Sequence, residues 1–157
     1  MINKIFTEME KVDFKPFDEI PLWVLLSTFG GGKEEFLDKL IAYYKPKTSI
    51  AKIRTEYIKS VSYLYDERRL HKISKLQELP FLIICIDVDE ERIKNIMLPL
   101  CKHRYLSRKK TILLSDKSRE EFAVNYSEFL KIGLVSSFTE ENIFEINKNK
   151  VIGKYFK

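Results

Sequence analysis

The stretch Ser49–Leu79, SIAKIRTEYIKSVSYLYDERRLHKISKLQEL, decides the fold, because it holds neither Gly nor Pro and lies between Pro46 and Pro80. Its apolar residues Ile50, Ile53, Tyr57, Val61 and Leu64 follow steps of 3, 4, 4 and 3, the spacing of one face of a helix. Past Leu64 the register changes: Leu70, Ile73 and Leu76 lie about 240° around from the first stripe at roughly 100° per residue. The spacing predicts one long helix that either bends near Asp66 or is buried on two sides. A helix apolar on two faces exceeds the needs of one small domain, so part of it reads as a subunit contact.

On the N-terminal side, residues 1–12 read as a short amphipathic helix with Ile2, Ile5, Met9 and Val12 on one side. The segment Phe14-Lys-Pro-Phe17 ends it. Pro21 suits the first turn of a buried helix, PLWVLLSTF, which Gly30-Gly31-Gly32 terminates. That glycine run ahead of Lys33 invites a phosphate-loop reading, but Glu34 stands where the G-x-x-x-x-G-K-[ST] pattern requires Ser or Thr. A helix cap and turn is the plainer role. Lys33 to Lys45 reads as another helix, with Phe36, Leu37, Leu40, Ile41 and Tyr44 inward.

On the C-terminal side, Phe81–Ile86 is an apolar run that periodicity assigns to neither strand nor buried helix. Acids from Asp87 to Glu91 open a helix running to about Arg104, with Ile93, Ile96, Met97 and Leu100 inward, bases at its end, and a kink at Pro99. Thr111–Leu114 reads as a strand, Ser118–Gly133 as a helix, and Leu134–Phe138 and Ile143–Ile146 as further strands. The basic run Cys101–Lys110 separates apolar blocks and reads as a boundary. The expected fold is therefore α+β: a mainly α-helical N-terminal bundle with a long central helix (1–104), then a small β-rich C-terminal domain (105–157).

The chain has 157 residues, 45% of them apolar, enough for a real core. Two cysteines, Cys85 and Cys101, argue against a disulfide framework and for a reducing compartment. No signal peptide or membrane span is evident, so a cytoplasmic protein is expected. Twenty-eight Lys and Arg against 23 Asp and Glu give a charge of +5, which permits nucleic-acid contact without requiring it. A single glutamine, Gln77, among abundant Lys, Glu and Ile is a hyperthermophile bias.

Two segments carry a family resemblance. SYLYDERRLHKISKL resembles the helix of GINS replication-complex subunits, through Tyr63-Leu64-Tyr65-Asp66, Arg68 or Arg69, and Lys72-Ile73. TILLSDKSREEFAVNYSEFLKIGLV resembles the small C-terminal β domain of one subunit class, through Leu113-Leu114, Phe122, Phe129-Leu130 and Gly133-Leu134-Val135. The resemblance implies an archaeal-type, non-catalytic subunit that scaffolds and activates the replicative helicase at the fork, with no cofactor and no metal. It implies a hetero-tetramer with a second GINS subunit type, and contacts with the minichromosome maintenance helicase, a RecJ-like partner and primase. Ile58, Tyr65, Arg69, Leu70 and Ile73 are then the partner interface. Lys102, Arg104, Arg108, Lys109 and Lys110 are candidates for nucleic-acid or acidic-partner contact.

Rival readings rest on other residues. Asp87 and Asp89 alternate as in Mg-dependent nucleases or nucleotidyltransferases, where carboxylates at a strand end share one face; acids at a helix start account for the same residues at no cost and are the plainer reading. The helix followed by GLVSSFTEENIFEI could be the recognition helix and wing of a DNA-binding regulator, although Glu120, Glu121 and Glu128 make a poor surface for phosphate. Cys101-x-His103 offers two metal ligands without a partner pair.

Overall fold

The computed structural model of the protein describes residues 5–8, 14, 18, 21–26, 33–88, 90–126, 143–147 and 150–153. Its elements run β1 (Ile5–Glu8), β2 (Leu22–Leu26), α1 (Lys33–Tyr44), β3 (Ile50–Arg54), α2 (Thr55–Ser62), α3 (Asp66–Glu78), β4 (Phe81–Ile86), α4 (Glu91–Leu106), β5 (Lys110–Ser115), α5 (Arg119–Asn125), β6 (Ile143–Asn147) and β7 (Lys150–Gly153). The strands form one seven-stranded sheet in the order β1-β7-β6-β2-β5-β4-β3. From β6 to β3 every pair is parallel, while β7 and β1 add antiparallel edges.

Helices cover both faces of this sheet. On one, α1 places Phe36, Leu37, Leu40 and Tyr44 against Trp23 and Leu25 of β2, Phe81 and Ile83 of β4, and Ile112 and Leu114 of β5. On the other, residues of α2 to α5, among them Ile58, Leu76, Ile93, Met97 and Phe122, pack on Leu22, Val24 and Leu26, Leu82 and Ile84, and Leu113. Alternate residues of β2, β4 and β5 feed opposite cores, as the two-residue repeat requires. Cover on both faces is also why LWVLL is buried at all five positions.

The α+β expectation, a helical bundle followed by a β domain, is thereby corrected to an α/β fold. The long helix Ser49–Leu79 is a strand and two helices. Ile50–Arg54 pairs in parallel with β4 as an edge strand, with Lys52 and Arg54 exposed. α2 closes with short backbone bonds, Tyr63 N–H to Ser60 at 3.2 Å and Leu64 N–H to Val61 at 3.1 Å, and Tyr65 turns extended before α3 begins. Within the expected helix PLWVLLSTF, Leu22–Leu26 is strand β2 rather than part of a buried helix, because a strand covered on both faces loses its alternation of apolar and polar residues. The N-terminal helix is replaced over Ile5–Glu8 by β1, paired with β7.

Other expectations hold. α1, α4 with Pro99 inside it, β5 and β6 fall where the periodicity puts them. Phe81–Ile86 resolves as strand β4. α5 begins at the Ser118 cap, whose Oγ accepts the Glu121 N–H at 3.2 Å. The expected helix beyond residue 126 and the strand Leu134–Phe138 lie outside the described residues. The architecture implied by the GINS resemblance is not found: SYLYDERRLHKISKL spans the α2–α3 break, and TILLS is a middle strand of the sheet. The junction 104/105 falls inside α4, and the one sheet takes strands from both sides of it.

Candidate functional site

A parallel sheet has a chemically distinct carboxyl edge, where every strand hands over to a helix. β2 and β5 are neighbours, yet the helix after β2 lies on one face and the helix after β5 on the other. Such a switch of faces between neighbouring parallel strands is the general location of ligands in open α/β sheets.

The chain that leaves β2 at Leu26 is Ser27-Thr-Phe-Gly-Gly-Gly32, and it delivers Lys33 as the first residue of α1. Residues 27–32 lie outside the described set, but both of their anchors are fixed. Three glycines just ahead of a helix N-terminus are the composition that lets backbone N–H groups converge on a phosphate. Gly32 and Lys33 match the closing Gly-Lys of the phosphate-loop pattern, whereas Ser27 replaces its first glycine and Glu34 its hydroxyl residue. The Glu34 carboxylate is exposed and lies 3.6 Å from Lys52 Nζ on β3.

The acidic side of the same edge comes from β4. Asp87 follows the apolar strand directly and lies two strand spacings, about 10 Å, from the line of β2. Thr55, the buried first residue of α2, ties this corner together. Its hydroxyl donates to the Asp87 carboxylate and accepts the N–H groups of Asp87 and Val88, each at 3.1 Å. Arg54 adds a longer ion pair to Asp87 at 3.9 Å. Next to it, Lys59 meets Glu90 at 2.8 Å, and that hydrogen bond holds the ammonium pKa above its usual value. Ser115 ends β5 fully buried, with its Oγ accepting the Lys117 N–H.

Tested against a magnesium–nucleotide complex, this edge fits in part. The glycine run and Lys33 suit phosphates, and Asp87 stands where a strand-end carboxylate holds magnesium through water. Glu34 does not fit, since the metal takes a neutral hydroxyl at that position and a carboxylate there repels the phosphates. Asp89, the second carboxylate of the nuclease reading, lies outside the described residues. Among the described residues no three His, Cys, Asp or Glu converge on a metal position.

The expected interface residues divide. Arg69 and Ile73 line a groove of about 500 Å³ between α3 and α4; Tyr65 and Leu70 stand exposed on α3 or its lead-in, and Ile58 is buried in the core. The basic set divides as well. Lys102 and Arg108 are exposed, Lys109 and Lys110 are half-buried, and burial lowers the Lys110 pKa. Arg104 is fully buried, and its guanidinium donates to Thr111 Oγ1 and to the carbonyls of Leu76, Gln77, Leu79 and Lys110. Burial pulls its pKa down to about 10. Thr55 went unnoticed in the sequence, where a lone threonine between a strand and a helix carries no signal.

The sequence matches no known protein family and no curated protein. The fold itself, an α/β, P-loop-like fold, has solved counterparts. The chain is similar to DnaI at a TM-score of 0.61 and 16% identity, over 85% of this chain and 76% of that one. It is similar to the DnaC helicase loader at a TM-score of 0.59 and 20% identity, over 86% and 82%. With AMPPCP-bound DnaA from Aquifex aeolicus the TM-score is 0.61 at 19% identity, over 82% of this chain but only 40% of that one.

Proposed function

We propose that the chain is a non-catalytic accessory domain of a replicative helicase, a P-loop-type scaffold that uses binding energy rather than nucleotide turnover. The likeness to the DnaC helicase loader over most of both chains supports the helicase partner. The second GINS subunit and the RecJ-like partner are not retained. Glu34 carries the non-catalytic part. Phosphoryl transfer needs magnesium held between the loop hydroxyl and the strand-end Asp. Replacing that hydroxyl by a carboxylate removes a neutral magnesium ligand and sets like charge toward the phosphates, at an exposed position where solvent screens the repulsion.

The purified chain should co-elute with its host's hexameric replicative helicase and show no magnesium-dependent ATP hydrolysis alone or in that complex. Turnover abolished by Lys33→Ala would overturn the non-catalytic assignment, and failure to bind the helicase at micromolar concentration would overturn the accessory role. The double variant Ser27→Gly, Glu34→Thr should bind MgATP at least about tenfold more tightly than the natural chain.

A further inference from the structure

α3 is thinly buried for a helix of thirteen residues: Leu76 alone of them is fully buried. Its stripe Arg69, Ile73, Gln77, spaced four apart, forms one wall of the groove, and Arg92, Asn95, Ile96, Pro99 and Leu100 of α4 form the other. Both helices run from the carboxyl edge of the sheet toward the amino edge, since α3 leads into β4 and α4 leaves it. Arg69 and Arg92 each lie in the first turn of their helix, so two guanidiniums and two helix N-termini share one end of the groove.

We propose that this groove receives one amphipathic helix of a partner protein, with apolar residues along the α3–α4 floor and a carboxylate at the Arg69–Arg92 end. Charge complementarity selects the carboxylate, because no residue lining the groove is acidic. Arg69 already bonds one carboxylate at 2.6 Å, that of Asp66 on the rim, and Arg92 lies over the Tyr63 ring at 4.1 Å. Ile73, Ile96, Pro99 and Leu100 make a floor that suits leucine-like anchors and gains nothing from a phosphate backbone. Pro99 has no N–H for the Asn95 carbonyl, which leaves that acceptor out of the helix ladder, within the groove wall. Tyr63, Tyr65 and Leu70, close in sequence to Arg69, are further exposed apolar side chains. The inference rests on the groove alone and stands whether or not the partner is a helicase.

The test is selection from a displayed library of helical peptides about 16 residues long, ~24 Å, against the full chain. Enriched sequences should carry apolar residues at i, i+4 and i+7 with Asp or Glu near one end. Their affinity, read by fluorescence anisotropy, should fall at least about tenfold in Arg69→Glu and again in Arg92→Glu. Arg92 is exposed and Arg69 half-buried at the groove edge, and neither belongs to a core cluster, so circular dichroism should be unchanged. Failure to enrich, enrichment of basic peptides, or binders indifferent to both charge reversals would overturn the proposal. Binding of a single-stranded oligonucleotide that both reversals abolish would assign the arginines to phosphate and overturn it too. Self-association abolished by the same changes would make the occupant a second copy of this chain, with the same consequence.

Discussion

Arg104 joins the end of α3 to the start of β5 through five oxygen acceptors, none of them charged. Truncation to Met would take the guanidinium donor from four carbonyls, that of Leu76 buried, and from the Thr111 hydroxyl, at about 1–3 kcal/mol for each group left unsatisfied. Arg104→Met should therefore lose at least about 3 kcal/mol in urea unfolding, whereas a residue that served only nucleic-acid contact would leave stability unchanged. Cys101 is a second buried group, and burial pushes its thiol pKa up to about 12 from 9.0. The sign follows from proton binding: the unfolded chain loses this proton first, so the contribution is complete below pH 9 and declines as the pH climbs toward 12. Cys101 should accordingly resist iodoacetamide at pH 8 until denaturant is added, and reaction in the native protein would contradict its burial. Tyr44 shifts upward as well, through burial and then its 2.6 Å hydrogen bond to Asp18.

The break between α2 and α3 separates the structure from a continuous helix, and it can be probed at Tyr65. That residue has φ −59° and ψ 152°, values proline accepts. Tyr65→Pro should change stability by less than about 1 kcal/mol, where an uninterrupted helix would lose about 3 kcal/mol. Thermal unfolding decides between them. How far the sequence revealed each element depends on where water reaches it. α1 and α4 have one wet face, and their 3.6-residue repeats were legible. β2 and β4 have none, so LWVLL and FLIICI gave composition without period. β3 misled for a different reason: Ile50 and Ile53 feed opposite faces of the sheet, yet their spacing of three continues the stripe of α2. At the candidate site the Gly30–Lys33 run was visible as letters. Its weight comes from the strand before it and the parallel neighbour beside it, and neither is local in sequence. Asp87 was legible as a strand-end carboxylate, but its clasp by Thr55 spans 32 positions.

At the scale of the molecule, the basic segment Cys101–Lys110 carries the chain out of α4 and into β5, a strand with neighbours on both sides. Trypsin should leave Arg104 uncut in the native state, and unfolding should be a single transition seen alike by Trp23 fluorescence and far-UV circular dichroism. A cut in this segment that released a folded fragment 1–104 would mean two domains. The strand order also bears on how the chain is made. β2 pairs only with β5 and β6, so on the ribosome LWVLL emerges early and waits for Lys110–Ser115. At ~5–20 residues per second that interval is on the order of ten seconds. Throughout it, an apolar five-residue segment of high strand propensity has no lawful neighbour, the condition under which nascent chains recruit trigger-type chaperones or aggregate. Synthesis without such help should yield inclusion bodies from a sequence whose finished fold buries that segment completely.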